Sequence, residues 1–115
     1  CSLTELSLVR NEPIREELAV WARRVADRAT GLLEPLRLVE LDGAQGKALL
    51  RSEAPVVRDG KAFYYELLLE RTTRSAAMLR RYAGDRTGDA KRDAVSFVLT
   101  HDAIIKLAND IVGTN

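Results

Sequence analysis

Residues 12–30, EPIREELAVWARRVADRAT, form the clearest predicted element of the sequence. Its apolar side chains recur at spacings of three and four, which places them on one face of a helix. Those side chains are Ile14, Leu18, Trp21, Ala22, Val25 and Ala29. Pro13 suits a first helical turn, where a backbone N–H would lack a partner, and Gly31 can end the helix with a positive φ. We therefore predict a long N-terminal helix over residues 12–31 whose apolar stripe packs on a sheet.

The sheet is predicted over residues 32–99, and its strongest strand is residues 61–71. Side chains alternate between two faces along a strand. The faces are Phe63, Tyr65, Leu67 and Leu69 on one side and Tyr64, Glu66, Leu68 and Glu70 on the other. We expect the first face in the core, together with Trp21 and Phe97, and the two carboxylates of the second face in solvent. Residues 32–41 and 47–53 enclose Asp42–Gly46, a pattern typical of a hairpin.

Residues 73–83 fit two different structures. The run from Ser75 to Ala83 has high helix propensity, and Gly84 could end such a helix. A strand paired with residues 61–71 would instead form a continuous meander and give residues 94–99 a partner. We favour the strand, although propensity argues for the helix.

The two ends complete the predicted fold. Residues 1–11 are too apolar for a solvated tail and form either a short helical turn or an edge strand. Thr100 is suited to cap a C-terminal helix over residues 100–113, which Gly113 ends. The prediction is one α+β domain over residues 1–115, with the long helix packed on four or five antiparallel strands and a helix closing the chain.

The order of elements in residues 12–99 resembles the cystatin-like architecture, in which an antiparallel sheet wraps a long helix. Protease-inhibiting cystatins carry Gln-x-Val-x-Gly in their first hairpin, whereas the corresponding loop here is Asp42-Gly43-Ala44-Gln45-Gly46. The C-terminal helix is an addition to that architecture. The resemblance therefore implies a fold and gives no support for protease inhibition.

Composition excludes several classes of function. Hydrophobic residues make up 46% of the 115 residues and charged residues 30%, with a formal net charge of +1, as in an ordinary globular domain. One Cys and one His rule out an intramolecular disulfide and a Cys/His zinc site within one chain, and no cofactor is implied. No apolar run approaches the roughly 20 residues that span a bilayer. A soluble, cytoplasmic protein is slightly favoured; the alternative is a lipid-anchored or exported protein, if Cys1 is the mature end of a lipoprotein rather than a trimmed end.

No catalytic residue is predicted. His101 is the single histidine, and a surface position in the first turn of the last helix is the favoured interpretation. The chain contains no G-x-S-x-G nucleophile motif, no G-x-G-x-x-G and no P-loop. These absences make an enzyme the less favoured alternative.

Residues 71–92 form the candidate binding surface. Seven basic residues against two acidic ones give this segment a local net charge of +5. The candidate residues are Arg71, Arg74, Arg80, Arg81, Tyr82, Arg86 and Arg92. A basic hairpin with a tyrosine could follow a phosphate backbone and stack on a base, or its arginines could pair with Glu66 and Glu70 on the neighbouring strand.

Three functions remain open from the sequence. The leading hypothesis is a small non-catalytic binding domain that acts through a sheet face, a strand edge or the basic hairpin, with a protein partner or a second copy in a homodimer. The first alternative is a small-ligand-binding domain or enzyme with an apolar pocket between helix and sheet. The second alternative is nucleic-acid binding through residues 71–92. It is less favoured, because a protein that binds nucleic acid usually carries a higher overall charge.

Overall fold

The computed structural model describes residues 2–29, 35–53, 55–85 and 92–113. These residues form an α+β fold of two helices and a large antiparallel sheet, as predicted, together with a separate two-stranded antiparallel sheet. The predicted single strand at 94–99 is wrong, because residues 93–95 pair in the large sheet and residues 97–98 pair with residues 2–3. The elements are β1 (Ser2–Leu3), β2 (Leu6–Arg10), α1 (Leu18–Ala29), β3 (Leu36–Asp42), β4 (Lys47–Ser52), β5 (Val56–Arg58), β6 (Lys61–Arg71), β7 (Ser75–Asp85), β8 (Asp93–Val95), β9 (Phe97–Val98) and α2 (His101–Val112).

The hairpin of β6 and β7 is the centre of the sheet, and its eleven-residue strands pair along their whole length. The strand order is β2-β7-β6-β4-β3, while β5 extends the β4 side of β6 and β8 extends the β2 side of β7. The predicted strand at 73–83 is therefore confirmed. The described residues place seven strands in this sheet instead of four or five, because short segments flank both long strands.

The apolar stripe of α1 lies on the sheet, as predicted. Trp21, Ala22, Val25 and Ala29 are buried, and the helix packs against β3, β4, β6 and α2. The facing sheet residues Leu50, Leu67 and Leu69 are fully buried. Burial of such side chains contributes about 1.5–3 kcal/mol each, so this layer carries most of the stability of the domain.

The predicted start of the helix at residue 12 is wrong, because α1 begins at Leu18. Residues before it form an irregular connection that is tied to the turn between β6 and β7. The Ser75 hydroxyl accepts from the Ile14 N–H at 2.6 Å and donates to the Glu12 carbonyl at 3.0 Å. The Arg71 guanidinium donates to the Ile14 carbonyl at 2.9 Å. The carbonyls of Glu12 and Ile14, which would accept intrahelical bonds in a helix that began at residue 12, thus have other partners.

Both ends of α2 are satisfied by local contacts. Thr100 is the N-cap, and its side chain accepts from the Ala103 N–H at 3.1 Å; Gly113 ends the helix at φ 82°. Two side chains of α1 then bind the last carbonyls of α2. Trp21 donates its indole N–H to the Ile111 carbonyl at 2.8 Å, and Arg24 donates to the carbonyls of Asp110 and Ile111. The two helices are thereby locked together at one end.

The N-terminal segment takes the edge-strand alternative, since β2 pairs with β7 and forms one margin of the sheet. The hairpin predicted around Asp42–Gly46 is also present and joins β3 to β4. Gly46 is required there, because a Cβ atom would lie 2.2 Å from the Arg71 carbonyl oxygen and φ is 68°.

The space between helix and sheet is largely filled. A cavity of about 130 Å³ remains beside Trp21, Ile14 and Ile111. Ligand pockets usually measure about 300–1,000 Å³. The geometry therefore gives little room for the small-ligand alternative at this position.

Candidate binding surface on the open face of the sheet

The two faces of the sheet are covered differently. Among the described residues, both helices and the ribbon of β1 and β9 contribute to the core on one face. We call the opposite face the open face. Its centre carries three half-buried apolar side chains, the apolar floor: Leu49, Leu68 and Met78. Next to them stands the open-face cluster: Arg51, Tyr64, Glu66, Arg80, Tyr82 and Arg92.

Glu66 is the centre of the open-face cluster. Its side chain is only 7% exposed, and its Oε2 atom accepts from Arg51 Nη2 at 2.7 Å and Arg92 Nη1 at 2.6 Å. The expectation that Glu66 lies in solvent is therefore wrong. Arg51 on β4 and Arg92, just before β8, cover the carboxylate, so Glu66 is buried although it lies on the open face.

Two tyrosines hold the arginines in place. Tyr64 and Tyr82 are register partners in β6 and β7, with ring centroids 5.9 Å apart. The Arg92 guanidinium lies 4.1 Å from the Tyr82 ring centre, and that of Arg51 lies 5.5 Å from the Tyr64 ring centre. Such cation–π contacts contribute about 0.5–1 kcal/mol at exposed sites. The result is a platform of alternating guanidinium and phenol groups.

The contacts of Arg80 and Arg92 favour the charged forms of these two side chains. Burial disfavours the cation of Arg92, but hydrogen bonds to Tyr64 and Glu66 outweigh it, so the pKa of Arg92 is raised. Hydrogen bonds to Tyr82 and to Glu5 likewise raise the pKa of Arg80. The Arg80–Glu5 pair, at 2.6 Å, also ties the start of β2 to β7.

Two adjacent hollows lie on the open face. The first, of about 210 Å³, is lined by the apolar floor together with Glu66, Arg80, Tyr82 and Arg92. The second, of about 100 Å³, shares Leu68 and Met78 with the first and continues toward Val9 on β2. The two hollows thus cross the sheet from β4 to β2, with Arg80 and Arg92 lining the first and Glu70 and Ser7 lining the second beside its apolar side chains.

The structure brings only part of the predicted surface together. Arg80, Tyr82 and Arg92 stand side by side on the open face. Arg81 lies on the other face, 4.5 Å from the Tyr65 ring centre, and Arg71 binds the connection before α1. Arg74 is exposed in the turn between β6 and β7. Arg86 lies outside the described residues.

Three members of the cluster were not among the predicted binding residues: Arg51, Tyr64 and Glu66. Strand alternation in residues 61–71 does place Tyr64 and Glu66 on one face, and the sequence raised pairing of arginines with Glu66. What the sequence lacked was the register, which sets Arg51 opposite Glu66 and Tyr64 opposite Tyr82.

Other predicted features have a plain structural setting. Trp21 and Phe97 are buried and Phe63 and Tyr65 are half-buried, with Tyr65 meeting Phe97 edge-on at 5.6 Å. His101 is exposed at the start of α2. In the described part of the chain, no three His, Cys, Asp or Glu side chains are placed to hold a metal ion. Neither helix in that part is long and apolar enough to cross a membrane.

Comparison with known proteins gives no family for this chain. No protein-family model matches it, and no curated protein or solved structure is significantly similar to it. The resemblance to the cystatin-like architecture therefore stays a prediction based on element order.

Proposed function

We propose that this protein is a non-catalytic binding domain that holds a partner protein on the open face of its sheet. The observation that carries the proposal is the open-face cluster, fixed around the buried Glu66 carboxylate beside an uncovered apolar floor.

The chemistry of the surface supports a protein partner. Tyr, Arg and Met are enriched at the centres of protein interfaces, and a few such residues carry most of the binding energy. The contacts of Arg51 and Arg92 with Glu66 also fix both side chains before binding. Preorganised side chains lose less conformational freedom when a partner arrives, which favours affinity.

The positions of the arginines in residues 71–92 support nucleic-acid binding less than protein binding. Arg71 and Arg81 lie away from the open face, on which Arg80 and Arg92 stand. In the described part of the segment, the arginines therefore do not form one continuous positive stripe, which a phosphate backbone would require.

A homodimer through a strand edge is also less supported. In the described residues β3 is an outer strand, with Val39 and Leu41 partly exposed, but its register shifts between Leu38 and Glu40. Such irregularities and charged residues on an edge discourage pairing with another strand.

The test is a matched pair of lysine substitutions. Leu68→Lys places a charge on the apolar floor, and Ile105→Lys places one on α2 at a side chain that is 59% exposed. Proteins are cross-linked to the wild type in the cell that makes it. The amount of each cross-linked protein is then compared with the amount recovered with Leu68→Lys, Ile105→Lys and Tyr82→Ala.

We expect one partner to survive Ile105→Lys and to be lost with both Leu68→Lys and Tyr82→Ala, while all variants remain folded by circular dichroism. A partner that survives the two open-face variants and is lost with Ile105→Lys would overturn the proposal. If the partner is a second copy, the wild type sediments as a dimer and Leu68→Lys as a monomer.

A further inference from the structure

We infer that the first hollow of the open face binds the C-terminal residue of the partner chain, with its free carboxylate at Arg80 and Arg92 and its apolar side chain on Leu49, Leu68 and Met78. This inference rests on the proposed function and names the group that the open face recognises.

The local charge calls for one negative charge. Among the described side chains, Arg51, Arg80 and Arg92 form ion pairs with Glu5 and Glu66, so three positive charges face two negative ones. A guanidinium carries five N–H donors, and the bond from Arg92 Nη1 to Glu66 and its bond to Tyr64 use only part of them. Donors therefore remain for a further carboxylate, which matches the planar guanidinium well.

The lining of the first hollow favours a ligand in which an apolar group lies next to the carboxylate. Arg80 and Arg92 share one hollow of about 210 Å³ with the apolar floor. An internal Asp or Glu of a partner brings a carboxylate but no apolar side chain on the same residue. A C-terminal Leu or Phe brings both on one residue, and thus fits a hollow that joins both kinds of wall.

The second hollow favours a chain over a small free acid. It shares Leu68 and Met78 with the first and leads across β7 to Val9, away from the arginines. A peptide whose last residue fills the first hollow would set its preceding residues along this path. A single small acid would occupy only the charged end.

The probes are fluorescein-labelled hexapeptides that end in Leu or Phe, each prepared as the free acid and as the carboxamide, with Lys-terminated acids for comparison. Binding is measured by fluorescence anisotropy on the full chain. Phenylpropanoate is the small-acid competitor.

We expect the Leu and Phe free acids to bind at least ten-fold more tightly than their carboxamides and than the Lys-terminated acids. Arg92→Gln removes the difference between acid and carboxamide. Arg37→Gln leaves it unchanged, because this exposed arginine on β3 lies on the same face without lining either hollow. Leu68→Lys weakens both forms.

Equal binding of acid and carboxamide by the wild type overturns the inference, and so does a difference that survives Arg92→Gln. Phenylpropanoate binding as tightly as the peptides would overturn the assignment to a chain end. If the carboxamides bind as tightly as the acids and Leu68→Lys weakens their binding, recognition of a terminal carboxylate is overturned, but the open face remains the interface. The failure of this inference is thus distinguishable from failure of the proposed function.

Discussion

Leu67 and Leu68 are neighbours in β6, but they belong to different environments. Leu67 is fully buried in the layer under the helices, where it meets Leu50 and Leu79 across the strands. Leu68 is half-buried between Leu49 and Met78 on the open face. One face of the sheet is therefore built for packing, and the other combines a modest apolar area with fixed charges. The comparison indicates that stability and binding are divided between alternate residues of the same strands.

Separate truncation of the two leucines tests this division between the two faces of the sheet. Leu67→Ala leaves a cavity in a closed core, so we expect the free energy of unfolding to fall by about 3 kcal/mol. Leu68→Ala removes a side chain that is already in partial contact with water, and we expect a loss of about 1 kcal/mol. Urea unfolding measures both. Equal losses would show that the open face is packed like the core.

The next largest expected effect on stability comes from Ser75, which is buried on the face of the sheet that the helices cover. Ser75→Ala removes the hydroxyl that joins the backbone of Ile14 and Glu12 to the β6–β7 turn. Because the Ile14 N–H then loses a buried partner, we expect the free energy of unfolding to fall by about 2 kcal/mol. Ser7→Ala, on the exposed part of β2, is the control and should change it by less than about 0.5 kcal/mol. Equal values for the two serines would mean that the connection is not held by Ser75.

A smaller effect separates the two carboxylates of the open face. Glu66→Gln leaves Arg51 and Arg92 without their counter-charge, and since both arginines are 40–43% exposed we expect a loss of about 1 kcal/mol in unfolding free energy. The matched change, Glu70→Gln, disrupts only the 3.9 Å contact with Lys47. Its effect should be at most about 0.5 kcal/mol. A larger loss from Glu70→Gln than from Glu66→Gln would contradict the central role of Glu66.

The smallest effect is a shift in titration at the margin of the open face. Hydrogen bonds from Arg80 and then from Ser7 lower the pKa of Glu5 below its ordinary value. Because the folded pKa is lowered, the contact contributes fully above the pKa that Glu5 has in the unfolded chain, and this contribution is lost as the pH falls through the folded pKa. In an NMR titration, Arg80→Gln should move the Glu5 midpoint upward, and Arg37→Gln should leave it unchanged. A midpoint unmoved by Arg80→Gln would argue against the link between β2 and β7.

Much of the covered face could be predicted from the sequence, because the rules that fix it are local. The spacing of Trp21, Ala22 and Val25 defines a helical stripe, and the alternation of Leu67 and Leu69 defines the strand face that receives it. The hydroxyl of Thr100 and the missing side chain of Gly113 set the bounds of α2. Each of these signals lies within one element.

The open face and the start of α1 depend on contacts between distant residues, and there the sequence was less informative. Residues 12–17 satisfy every local requirement of a helix, but the hydroxyl of Ser75 competes for their backbone. Glu66 occupies the position that alternation assigns to solvent, until Arg51 and Arg92 fold over it. The Ser75 contacts and the burial of Glu66 can be predicted only when the register of the strands is known.

The most direct test of the division between the two faces is the accessibility of Met78, the only methionine of the chain and a member of the apolar floor. Its methyl group gives a single NMR signal, which can be compared with the methyl groups of the fully buried Leu79 next to it. With a soluble paramagnetic agent added to the dilute protein, we predict strong broadening of the Met78 signal and none of the Leu79 signals. Equal protection of the two residues would mean that the open face is covered, and would contradict its assignment as the binding surface.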